Sequence, residues 1–143
     1  MGTYWEIALE DYDQGLFCKA AGKNKYAVYH LQQFAEKGAK ALLEKIDPEH
    51  KNLKSHRVET IIATYDQRHR SGDISDKARY LTSFYFDTRY PGDNYMGDID
   101  DAQVDNALLY ANILKTYYQG ELAKHAASTN RHISGLGQLK PCT

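Results

Sequence analysis

The sequence predicts an all-α protein, an up-and-down antiparallel bundle of about five helices. Three observations lead there. Apolar residues recur at intervals of three and four along most of the chain, and no segment sustains a period of two. Valine, a preferred strand residue, occurs only three times. The three prolines, Pro48, Pro91 and Pro141, each stand where a helix would stop. At 143 residues the chain has room for one domain with a real core. We expect the bundle over residues 1–127 and a flexible tail over residues 128–143.

In the first helix Trp5, Ala8, Leu9, Tyr12 and Leu16 make one stripe, and Gly22 punctuates the chain after it. Over residues 25–46, Leu31, Phe34, Ala35, Gly38, Leu42 and Ile46 share a face. Glu36, Lys40 and Glu44 stand one turn apart, so weak pairing in solvent is expected, with Lys37 also solvent-facing. Asp47-Pro48 closes that helix. Ser55 reads as the N-cap of a shorter third helix with Val58, Ile61, Ile62 and Tyr65 inward. The polar residues 67–73 read as a loop, and Ser75 as the cap of a fourth helix whose face is Ala78, Leu81, Phe84 and Tyr85. After a glycine- and aspartate-rich link, Asp98, Asp100 and Asp101 suit the start of a long last helix. Its main stripe is Val104, Ala107, Leu108, Ala111, Leu114, Tyr118 and Leu122. Tyr110, Ile113 and Tyr117 form a second stripe, and a surplus apolar face predicts a homodimer interface.

Composition narrows the function. Eighteen Lys and Arg oppose nineteen Asp and Glu, a formal charge of −1, which argues against a dedicated duplex-DNA binder. No apolar run approaches the roughly 20 residues of a membrane span. The start, Met1 to Glu6, lacks the regions of a signal peptide, and two distant cysteines, Cys18 and Cys142, fit a reduced cytoplasmic protein. Cys18 lies beside the first stripe and reads as a packed thiol. Neither a glycine-rich phosphate loop nor a GxSxG elbow occurs. The six histidines form no metal-binding spacing, and His125 and His132 read as solvated. No metal, cofactor or catalytic residue is therefore assigned.

Basic residues cluster at Lys51, Lys54, Arg57, Arg68 and Arg70, with His56 and His69 among them. Arg89-Tyr90 adds a planar phosphate fork beside a flat ring. If the third and fourth helices run antiparallel, His56 and Arg57 at the start of one meet Arg89 and Tyr90 at the end of the other. The first-turn amides of the third helix would then face a phosphate, with Tyr90 stacking on a base.

Three stretches in order carry a family resemblance. They are residues 30–43, HLQQFAEKGAKALL; Ser55-His56-Arg57; and Thr88-Arg89-Tyr90-Pro91, followed by an acidic helix start and an alanine-rich last helix. Together, over roughly residues 3 to 125, the chain resembles the HEPN family, the higher eukaryote and prokaryote nucleotide-binding domains. The resemblance implies an up-and-down bundle, often a homodimer, linked to nucleotide binding. Such proteins are frequently encoded beside minimal nucleotidyltransferases, and some are toxins of toxin–antitoxin systems. Members that cut RNA share an Arg followed, after four to six residues, by His. None of Arg57, Arg68, Arg70, Arg79, Arg89 and Arg131 has such a histidine. The expectation is a non-catalytic module that takes ATP or GTP, or the nucleotide-handling face of a nucleotidyltransferase partner. The alternatives are a ribonuclease toxin with an atypical site and a structural homodimeric interaction protein.

Overall fold

The computed structural model of the chain describes residues 2–89 and 99–137, with side chains over residues 2–85 and 99–127. Its helices are α1 (Tyr4–Ala20), α2 (Asn24–Ile46), α3 (Val58–Tyr65), α4 (Asp73–Arg89) and α5 (Asp101–Gly137). Two 3-10 turns, Lys51–Lys54 and Gln67–His69, flank α3. No strand occurs among the described residues, so the all-α expectation holds. None of the described helices is long and apolar enough to cross a membrane.

A capping box starts α1: Glu6 N donates to Thr3 Oγ1 at 3.1 Å, and Thr3 N donates to Glu6 Oε1 at 2.9 Å. The chain reverses into α2 through Gly22, whose φ of 76° suits a residue without Cβ. Helix α2 is the hub and packs on α1, α3, α4 and α5. Partner residues give the directions. Lys19 pairs with Asp105 and Trp5 meets Tyr118, so α1 runs against α5. Asn24 Nδ2 donates to Ile99 O, and Tyr118 Oη donates to Ala35 O, so α2 runs with α5. Tyr80 and Lys77 lie on the ring of Tyr110, with Tyr80 also reaching Gln103 O, so α4 runs against α5. The four long helices thus alternate in direction, and the short α3 sits between α2 and α4.

The hub position of α2 overturns one expectation. Glu36 and Lys40 do not pair in solvent; both are buried, at 4% and 7% exposure, and Gln32 beside them is fully buried. The face of α2 that carries Gln32, Glu36 and Lys40 is covered by neighbouring helices and offers the pair no solvent. Conversely Ile46 and Leu16, expected inward, are exposed: Ile46 is the last residue of α2, and Leu16 lies on an outer face of α1 while Gly15 and Cys18 on either side of it are buried. Ser55 caps a local turn instead of α3, its Oγ accepting from Arg57 N. Ser75 lies within the first turn of α4, buried, and is not its cap. Helix α5 continues through residues 128–137, the stretch assigned to the tail.

The second stripe of α5 is also accounted for within one chain. Tyr110 meets Tyr80 edge-on at 5.1 Å, and Tyr117 meets His69 at 5.0 Å. The stripe faces α4 and the second 3-10 turn, so it is no spare surface. That turn is pinned by Asp66, whose carboxylate accepts from Arg68 N, Nε and Nη2. Those Arg68 bonds hold the Asp66 carboxyl down at about 2. A depressed carboxyl pKa contributes stability above its unfolded value, near 4, and loses it as pH falls toward 2. We expect Asp66→Asn to flatten the acid limb of the stability profile between about pH 4 and 2, read by urea unfolding across pH. An unchanged limb would show that Arg68 adds nothing there.

Candidate functional site

The site grows from the polar residues of α2. Glu36 Oε2 accepts from Lys40 Nζ at 2.9 Å, and Oε1 accepts from Gln32 Nε2 at 3.2 Å. Gln33 Nε2 in turn donates to Gln32 Oε1 at 2.7 Å. A carboxylate this deep needs such partners, since an unpaired buried charge is costly. The network reaches the surface through His56. Its Nδ1 lies 3.3 and 3.4 Å from the two Glu36 oxygens, and its ring stacks on Tyr85 at 4.5 Å with planes 12° apart. The His56 side chain is 48% exposed while that of Glu36 is 5% exposed. A half-exposed imidazole is therefore held from below by a buried carboxylate and from one face by a tyrosine.

The start of α3 is fixed by α4. Thr82 Oγ1 accepts from Val58 N at 2.9 Å and donates to Glu59 Oε1 at 2.7 Å. The Arg57 guanidinium stands 3.9 Å from Glu59 Oε2. The sequence reading offered the first amides of α3 to an anion; the Val58 amide is instead taken by Thr82. Its supposition of antiparallel α3 and α4 fits the observed contacts, since the residues at the start of α3 meet Thr82 and Tyr85 in the second half of α4.

The four sequence-predicted site residues fall as follows. His56 is stacked and tethered, and Arg57 lies beside Glu59. Arg89 is the last residue of α4, four residues and so about one turn beyond Tyr85, and its side chain lies outside the described residues. Tyr90 also lies outside the described residues. Sequence reasoning gave Gln33 only as a weaker candidate for the rim and missed Glu36, Lys40 and Gln32 as parts of the site. The signal was a polar row at four-residue spacing, Gln32, Glu36 and Lys40, running beside the apolar stripe of the helix.

Two further readings are settled here. Cys18 is buried, as expected of a packed thiol, and Cys142 lies outside the described residues. His125 is not simply solvated: its Nε2 lies 2.8 Å from Tyr65 Oη, which donates to Glu121 at 3.0 Å. The burial of Tyr65 and the carboxylate of Glu121 push the phenol well above its ordinary range. The His132 side chain lies outside the described residues.

The model of one family, the HEPN domain, matches residues 1–120 of the 143. No curated protein and no solved structure matches the chain.

Proposed function

Because the chain belongs to the HEPN family, we propose that it is a non-catalytic nucleotide-binding or nucleotidyltransferase-partner module, with ATP or GTP as the ligand class. One observation carries the reading: His56 is presented flat and half exposed, locked by Glu36 and Tyr85, at the end of the bundle where Arg57 lies and α4 terminates in Arg89. A fixed imidazole supplies a donor and a stacking edge, and the two arginines supply phosphate contacts. Work inside a toxin–antitoxin pair and a cytoplasmic setting belong to the same reading. So does a homodimer. Its support moves from the second α5 stripe to the exposed Leu16, Phe17 and Leu109. The Lys19–Asp105 and Tyr12–Asn112 contacts bring that part of α1 alongside α5.

Calorimetric titration with ATP and GTP tests the proposal. We expect His56→Ala and Arg89→Ala each to weaken the preferred nucleotide at least tenfold, with the fold retained by circular dichroism. Equal affinities in wild type and both variants, with a drop in thermal stability, would leave these residues a structural role only.

A second reading is favoured by the Glu36–His56 contact. A carboxylate on Nδ1 fixes an imidazole's tautomer and leaves Nε2 for proton transfer, the arrangement general bases use. A ribonuclease with an atypical site would cleave defined single-stranded RNAs and lose that cleavage in His56→Ala. Observing both would replace the non-catalytic proposal.

A further inference from the structure

A cavity of about 540 Å³ lies between α3 and the first turns of α4. His50, Glu59, Gln67, Arg70, Ser75 and Arg79 are among its lining residues, and neither His56 nor Arg57 lines it. Its donors outnumber its acceptors. Arg70 is exposed, with no carboxylate partner among the described residues. Arg79 has only a loose contact of 3.6 Å with Asp76, both side chains being more than half exposed. His50 Nδ1 accepts from Asn52 N at 2.9 Å, which puts the ring proton on Nε2 and makes that nitrogen a donor. The one carboxylate of the lining, Glu59, is already engaged by Thr82 Oγ1 and stands near Arg57.

Ser75 supplies the independent sign of a ligand. It is 1% exposed, it lines the cavity, and its Oγ has no hydrogen-bond partner among the described residues. A buried hydroxyl left unbonded is costly, so this one is kept at a cost unless something in the cavity meets it.

We propose that this cavity is an oxyanion site, separate from the His56 site, that takes a phosphate group through Arg70, Arg79, the Ser75 hydroxyl and His50 Nε2. The chemistry is that of inorganic phosphate or of the phosphate of a nucleoside monophosphate, and the proposal stands whether or not the His56 reading does. Calorimetric titrations with inorganic phosphate and with AMP, at constant ionic strength held by chloride, test it. We expect the Arg70→Gln/Arg79→Gln double variant to bind phosphate and AMP at least tenfold more weakly, and Lys45→Gln, at an exposed lysine that does not line the cavity, to leave phosphate affinity unchanged. Both arginines are exposed enough for the double variant to fold. Ser75→Ala is expected to weaken phosphate severalfold while raising the melting temperature of the unliganded protein by a degree or more, because the orphan hydroxyl is gone. Phosphate affinity equal in wild type and double variant would overturn the site. So would AMP binding that survives the double variant but is lost in His56→Ala, or a fall in unliganded melting temperature for Ser75→Ala.

Discussion

Glu36→Ala is expected to destabilise the protein by about 3–5 kcal/mol, measured by urea unfolding near neutral pH. The Glu36 and Lys40 side chains are 5% and 9% exposed, 2.9 Å apart, on the helix that the other four surround. Removing the carboxylate leaves the Lys40 ammonium buried without its anion, and Gln32 loses its acceptor at the same time. Most of the cost comes from that stranded charge, so removing the charge as well should return stability. Glu36→Met combined with Lys40→Met is expected to lose less than half as much as Glu36→Ala alone, since an apolar pair of similar volume replaces a buried ion pair at little net cost. The single variant should also free His56 Nδ1 from its carboxylate, leaving the ring its stack on Tyr85. A loss below about 1 kcal/mol for Glu36→Ala would mean that water reaches Lys40 and that the pair is in effect a surface pair.

The same pair shows where the sequence is informative and where it stops. Five helices were legible because each has an apolar stripe at helical spacing: Val58, Ile61 and Ile62 on α3, Ala78, Leu81 and Phe84 on α4, and Val104, Ala107, Ala111, Leu114 and Tyr118 on α5 all proved buried. Periodicity reports which face of a helix is apolar. It does not report how many neighbours surround that helix. Glu36 and Lys40 have the spacing of an exposed i,i+4 pair, and only the packing of α1, α3, α4 and α5 around α2 turns them into a buried one. The caps failed for a similar reason. Ser55 has the right chemistry for a helix start, yet the amide of Val58 is met by Thr82, 24 residues away on α4. A local signal cannot anticipate a partner supplied by the fold. His56 was legible as a site residue through its neighbours in sequence; that it would rest on Tyr85 and Glu36 was not, because both contacts join different helices.

Tyr118→Ala is expected to cost about 3–5 kcal/mol and, beyond that, to reverse the effect of a second substitution at Gly38. Tyr118 is the largest fully buried side chain among the described residues. Its ring packs on Phe34 at 5.9 Å and Trp5 at 6.2 Å, and its hydroxyl donates to Ala35 O at 2.7 Å. Gly38 is what lets α5 bring that ring against α2. A Cβ built at residue 38 would overlap Cδ2 and Cε2 of Tyr118, atoms of a rigid ring held by the same neighbours. In the wild-type protein Gly38→Ala should therefore be destabilising by about 1–3 kcal/mol, even though alanine favours a helix interior by about 1 kcal/mol over glycine. Once Tyr118 is alanine, the obstruction is gone and a void faces residue 38. There the propensity gain and partial filling of the void act alone, so Gly38→Ala should become neutral or stabilising. The double-mutant cycle reads this directly as a coupling of roughly 1.5 kcal/mol or more between the two positions. Additive behaviour would show that α5 shifts to admit the methyl group, and that Gly38 is not what sets the distance between the two helices.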